Sequence, residues 1–207
     1  TIVVKPPANI SKQAGYNAEG TIAVNPTDPT KVFAGFNNLV DGNQWARSSD
    51  SGATWTPAGT DTIDNNGGGC CDNVAEWDSY GNLYLVNLDA AVNEVPLYLS
   101  TDDGASFSVL QTIDTGSLDQ PTLKAGPSSI WVTWNDNGTI KARGASVTGL
   151  GDANIGPFTA AQSAPGSDNV PPDGDQCQFG DIAVGPDGTV VDICQTDTEI
   201  LSYTDPD

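Results

Sequence analysis

The stretch S-S-D-S-G-A-T-W at 48–55 returns as S-T-D-D-G-A-S-F at 100–107, one template written twice: Ser-x-Asp-x-Gly-x-Ser/Thr-aromatic. Each copy follows the same kind of text. A short apolar run, a polar turn with Pro or Gly and a second apolar run occupy 21–36 and 73–88. Two further hairpin patterns of that form occupy 121–136 and 181–196. Hairpins that recur about every 50 residues mark a repeat architecture, and blades set around an axis are what such a period predicts.

A blade needs four antiparallel strands, A to D. In the first copy, strand A is expected near Thr21–Val24, B near Val32–Phe36 and C near Gln44–Ser48, with D after Trp55. The repeated segment is then the C–D turn. Asp50 and Asp102 accept hydrogen bonds from turn amides, Gly52 and Gly104 supply positive φ, and Trp55 and Phe107 tuck between neighbouring sheets. The third copy replaces the turn with V-T-G-L-G-D-A-N-I-G-P-F (147–158), and the fourth reaches only S-Y-T-D-P-D. The expectation is an all-β chain, one β-propeller domain or propeller fragment over 1–207. Its four-stranded antiparallel blade units lie at about 17–62, 70–115, 118–162 and 177–207. An unpaired last edge points to a longer parent of about six to eight blades; closure by residues 1–5 as an outer strand is the alternative.

Charge narrows the function. With 27 acidic and seven basic residues the formal charge is −20, which opposes binding to nucleic acid or to anionic lipid. The apolar residues come in short runs, none of them the length of a membrane span. The chain has no Met, so Thr1 reads as a processed or trimmed end with any signal peptide already removed. Four cysteines with no His and no C-x-x-C suit disulfides in an oxidising compartment better than zinc. A local Cys177–Cys194 pair across one hairpin is preferred. Cys70 and Cys71 then bond to each other, although pairing of each with Cys177 or Cys194 stays open, and G-G-G-C-C-D reads as a flexible entry into the second blade. Sequons at Asn9 and Asn137 agree with secretion.

Ligands of propellers meet the heads of the innermost strands. Aligning N-A-E-G-T, C-C-D-N-V, L-D-Q-P-T and F-G-D-I-A puts Glu19, Asp72, Asp119 with Gln120, and Asp181 there. Three roles compete. The carboxylates hydrogen-bond neighbouring strand amides, which is the default; or Glu19, Asp72, Asp119 and Asp181 hold Ca²⁺; or a pair among Glu19, Asp72 and Asp119 acts as acid and base on a glycosidic bond. The B–C loops at 37–44, 89–96, 135–138 and 196–199 open on the same face. Asn37, Asn38, Asp41, Trp45, Asn135 and Asp136 are candidates for sugar hydroxyls and for stacking on a sugar ring. In I-W-V-T-W, the alternation sends Trp131 and Trp134 to different environments, one of them the core.

Ser48, Asp50, Gly52 and Trp55, with Ser100, Asp102, Gly104 and Phe107, resemble the Asp-box, or BNR repeat, of sialidase-like β-propellers, and the blade-like units cover nearly the whole chain. The resemblance implies a structural role for these turns, on the rim opposite the binding mouth. The family's sialidases grip the substrate carboxylate with three arginines and use a Tyr nucleophile with a Glu partner and an Asp acid/base. Here only Arg47 and Arg143 exist, both in predicted C strands, and the Arg-Ile/Leu-Pro segment before the first Asp-box is missing. The sialidase site does not carry over. The expected function is a secreted or cell-surface glycan-binding or structural module. Alternatives are a glycoside hydrolase working with mouth carboxylates and a self-assembling extracellular protein.

Overall fold

The structure, a computed structural model, describes residues 6–38, 42–60, 69–89, 93–164 and 177–205. Among them the strands form four antiparallel sheets, each a simple meander in chain order. The first comprises β1 (Asn17–Val24), β2 (Val32–Asn38), β3 (Gly42–Ser48) and β4 (Thr56–Thr60). The second holds β5 (Cys71–Trp77), β6 (Leu83–Leu88), β7 (Glu94–Ser100) and β8 (Ser108–Thr115). The third holds β9 (Leu118–Ala125), β10 (Ser129–Asp136), β11 (Thr139–Ser146) and the two-residue β12 (Gln162–Ser163). The fourth has three strands among the described residues: β13 (Gln178–Val184), β14 (Val190–Gln195) and β15 (Ile200–Asp205). The proposed closing strand at 1–5 lies outside the described residues.

Burial follows from position within a blade. In the first two sheets the second strands are covered on both faces, so V-F-A-G-F-N-N (β2) and L-Y-L-V-N-L (β6) are buried along their whole length and read as unbroken runs. The first strand of the second sheet is covered alternately, with Asn73, Ala75 and Trp77 facing in. Successive sheets pack face to face. Phe33 and Trp45 meet Trp77, Leu83 and Tyr98 between the first two. Tyr84, Leu97 and Ile113 pack with Leu123, Ile130 and Trp134 between the second and third.

The innermost strands are also joined directly: Ala75 N donates to Thr21 Oγ1 at 3.0 Å, and Lys124 pairs with Glu76 at 2.8 Å. The scarce cations serve these joints. Lys31 reaches Asp103 of the second sheet at 3.1 Å, and Arg143 donates to the Ile113 carbonyl at 2.6 Å and to the Thr159 carbonyl at 2.7 Å. Arg143 is thus a strut from the third sheet to the second.

The two aspartate turns have the same geometry. Ser48 Oγ donates to Asp50 Oδ1 at 2.7 Å and accepts from Gly52 N at 2.9 Å, and Asp50 takes both the amide and the hydroxyl of Thr54. Ser100, Asp102, Gly104 and Ser106 repeat every one of those bonds. Hydrogen bonds led by Thr54 hold Asp50 down at about 2. Burial works against Asp102, yet the Ser106 and Ser100 bonds still lower it. The aromatics part company. Phe107 inserts edge-on against Phe33 and Trp45, each 5.5 Å away, as a wedge between the first two sheets. Trp55 instead folds back on its own turn, its indole N–H donating to the Gly52 carbonyl at 3.0 Å.

The loop that replaces the third turn is anchored by Asn82, which donates to the Gly149 carbonyl at 3.0 Å and accepts from Gly151 N at 2.7 Å. Cys177 bonds to Cys194 across the fourth sheet, with Cα atoms 5.7 Å apart, and Cys70 bonds to Cys71. No described helix is long and apolar enough to cross a membrane.

Candidate functional site

Every innermost strand carries a bulge near its head. Pairing of the first two strands shifts by one residue between Ala18 and Thr21, between Cys71 and Val74, beside Asn135 of β10, and between Gln178 and Asp181. In the first three sheets the leading bulge residue is left-handed: Glu19 at φ 49°, Asp72 at φ 56° and Gln120 at φ 50°. Such a conformation costs a non-glycine residue about 1 kcal/mol, and it turns the residue's own N–H out of the ladder, so that N–H needs another partner.

The carboxylates provide it. Glu19 Oε2 accepts from Asp72 N at 2.9 Å, and Asp72 Oδ2 accepts from Gln120 N at 3.3 Å, each bridging one sheet to the next. Asp119 Oδ1 also accepts from Gln120 N, at 3.1 Å. This chain of acids is electrostatically tight. Burial, then the charges of Glu19 and Asp119, push Asp72 up to about 6.

Beneath it lies a floor of carboxamides. Asn37 Nδ2 donates to Glu19 Oε2 at 2.6 Å, and Asn73 Nδ2 donates to Asn43 Oδ1 at 2.8 Å. Asn37 Oδ1, Asn43 Nδ2 and Asn73 Oδ1 are buried with no hydrogen-bond partner among the described residues. Unmet donors and acceptors of both kinds beside coupled acids suit hydroxyl-rich ligands or ordered water. A cavity of about 360 Å³ opens next to Glu19, lined also by Ile10, Asn17, Gly20, Thr21 and Phe36.

The bulges correct the alignment made from sequence. The structural equivalents are Glu19, Asp72, Gln120 and Phe179, so Asp119 sits one residue early and Asp181 two residues late. Asp181 pairs in register with Ile193 and caps its neighbour, Ile182 N, at 2.9 Å, apart from the other three acids. Among the described residues no three acidic or cysteine side chains gather around one metal position.

The expected sugar contacts divide as well. Asn37 and Asn38 are strand residues rather than loop residues, both buried, and Asn37 belongs to the floor. Trp45, expected to face a ligand, is 4% exposed and packs in the core against Phe107. Asn135 is committed to the Cys177 carbonyl at 2.6 Å and Gly138 N at 2.7 Å, and Asp136 pairs with Lys141. Asp41 lies outside the described residues. Sequence reading missed Asn43, Asn73 and Gly69. Gly69 is a packed element rather than a slack one, since a Cβ there would meet Asn43 Nδ2 at 2.2 Å.

Neither a protein-family model nor a curated protein sequence matches the chain. Solved structures do. The α-L-arabinofuranosidase Arb93A of Fusarium graminearum superposes with a TM-score of 0.65 at 12% identity, over 92% of this chain and 63% of that one. The GH74 xyloglucanase of Xanthomonas campestris gives 0.58 at 18% identity, over 90% and 28%. The leech intramolecular trans-sialidase gives 0.57 at 14% identity, over 84% and 29%. The chain therefore spans under two thirds of these proteins, and what it shares with them is the all-β propeller fold.

Proposed function

We propose that this chain is a carbohydrate-binding β-propeller of the Asp-box type, and that the heads of its innermost strands form the contact surface. The observation that carries the reading is the acid chain Glu19–Asp72–Asp119 lying over carboxamides with unmet hydrogen-bonding atoms. Sugar hydroxyls donate and accept at once, and so match such a mixed floor. Similarity in fold to an arabinofuranosidase, a xyloglucanase and a trans-sialidase supports carbohydrate as the ligand class.

The two aspartate turns, bonded alike, support the Asp-box assignment. Two disulfides support an oxidising, extracellular setting. Ile22 and Val24 on the first sheet and Ile193 and Ile200 on the fourth are exposed apolar side chains, which supports further blades flanking this arc or self-association through its ends.

Affinity electrophoresis and calorimetry against arabinan, β-1,3-galactan, xyloglucan and sialyllactose test the reading. Binding to at least one is expected, with loss in Asn73→Ala and Asp72→Asn. A chelator is expected to leave binding unchanged, because no three described acidic side chains are placed to hold one metal ion. Silence on every glycan sinks the proposal; binding abolished by chelator and restored by Ca²⁺ would return calcium to the site.

One observation favours a second reading, a glycoside hydrolase. An acid at about 6 flanked by two other carboxyl groups has the pairing expected of a general acid. Turnover of fluorogenic glycosides with an optimum below about pH 6, lost in Asp72→Asn, would establish it.

A further inference from the structure

A second site lies between the third and fourth sheets. A cavity of about 250 Å³ is lined by Trp131, Ile182, Val190, Asp192, Tyr203 and Asp205, among others. Most of that wall is apolar, and Trp131 lies so close over Gly144 that a Cβ there would meet its indole at 2.6 Å. Into this setting β14 brings a carboxylate. Asp192 is 6% exposed; its Oδ2 accepts from Thr133 Oγ1 at 3.1 Å, and its Oδ1 has no hydrogen-bond partner among the described residues. None of the ion pairs formed by described lysines and arginines involves it.

We propose that this cavity binds a primary organic ammonium group, with Asp192 as counter-ion and Trp131 and Tyr203 as aromatic walls. A buried carboxylate without a cation is costly, and one ligand charge removes that cost. The choice of cation follows from the walls. Calcium needs a cage of six to eight oxygens, and no three described acidic side chains gather around one point here. A guanidinium holds five N–H donors in a rigid fork, whereas an ammonium rotates its three donors freely toward Asp192 and the other oxygen-bearing residues of the wall, Gln162, Ser163, Thr204 and Asp205. The attached carbon chain covers Ile182 and Val190, and the positive head lies against ring faces that attract it. The volume fits a lysine-sized chain rather than an oligosaccharide. Burial, which pushes Asp192 up to about 6, reports the same unmet need.

The test uses the full chain and two isosteric probes, n-butylammonium chloride and n-butanol, at matched ionic strength, followed by calorimetry and tryptophan fluorescence. The expected result is saturable one-to-one binding of the ammonium, tighter than the alcohol by about tenfold or more. Asp192→Asn is expected to erase the preference, and Trp131→Leu to weaken the ammonium. Equal affinity for the two probes, or no saturation by either, overturns the proposal. That native-protein comparison decides the matter even if Asp192→Asn does not fold.

Discussion

The two aspartate turns are alike in their bonds and unlike in their surroundings, so the same substitution should cost different amounts in each. Gly52 and Gly104 both sit at positive φ, 79° and 76°. Alanine at either must hold the left-handed conformation, a cost of about 1–2 kcal/mol. At Gly52 the new methyl meets only Trp55 Cζ2, at 3.6 Å, an ordinary contact. At Gly104 it would stand 2.7 Å from Phe33 Cδ2 and 3.1 Å from Leu83 Cδ2, inside the joint between the first and second sheets. Phe33 and Leu83 are fully buried, so neither has room to retreat. Overpacking of that kind adds about 1–3 kcal/mol. Gly104→Ala should therefore lose about 2–5 kcal/mol and Gly52→Ala about 1–2. Urea unfolding followed by tryptophan fluorescence and far-UV circular dichroism measures both midpoints, with unchanged slopes validating the comparison. Equal losses, or a larger loss at Gly52, would show that the second turn does not lie between the first two sheets.

Other outcomes follow from single contacts. Ser100→Ala removes a hydroxyl bonded to Asp102 Oδ1 and Gly104 N and leaves a buried amide unmet, for a loss of about 1–3 kcal/mol by urea unfolding. Asn82→Ala should release 149–151, seen as faster amide exchange at Gly151, whose N–H it binds. The pH dependence has a definite sign. Asp72 and Asp192 both stand raised from 3.8 to about 6, so the native state holds their protons more tightly. Their contribution to stability is present below the unfolded value and lost as pH rises through about 6. The ceiling is about 3 kcal/mol for each, cut to about 1 at Asp72 by the solvent that reaches it. Stability above pH 6 should accordingly rise in Asp72→Asn; a variant equally sensitive to pH between 4 and 6 would contradict the assignment. Finally, Ile22→Lys and Ile200→Lys should reduce any concentration-dependent association seen by sedimentation, since both side chains are more than half exposed.

Much of this fold was legible because it is written locally. Alternation, hairpin turns and the Ser-x-Asp-x-Gly spacing each act over a few residues, and the strands fall where those signals put them. The site was harder, because a bulge shifts the register by one residue. The hint was turn chemistry inside a strand: Gly20, Pro121 and Gly180 each follow the leading bulge residue, where a plain strand would avoid them. Without that register, Asp119 and Asp181 looked equivalent to Glu19 and Asp72. Long-range packing hid the rest. Nothing near Trp45 in sequence tells that Phe107, sixty-odd residues on, encloses it. Asn43 reads as a loop residue and Asn73 as an ordinary strand head until Gly69 brings the second sheet against the first.

The central claim, that ligand meets the heads of the innermost strands, is tested most directly by mapping amide NMR shifts of the ¹⁵N-labelled chain during titration with the tightest-binding oligosaccharide. Shifts should concentrate in the backbone amides of Asp72, Asn73 and Gln120 and the side-chain amides of Asn37 and Asn43. Shifts confined to the turns at 48–55 and 100–107, or to the outer strands, would contradict it.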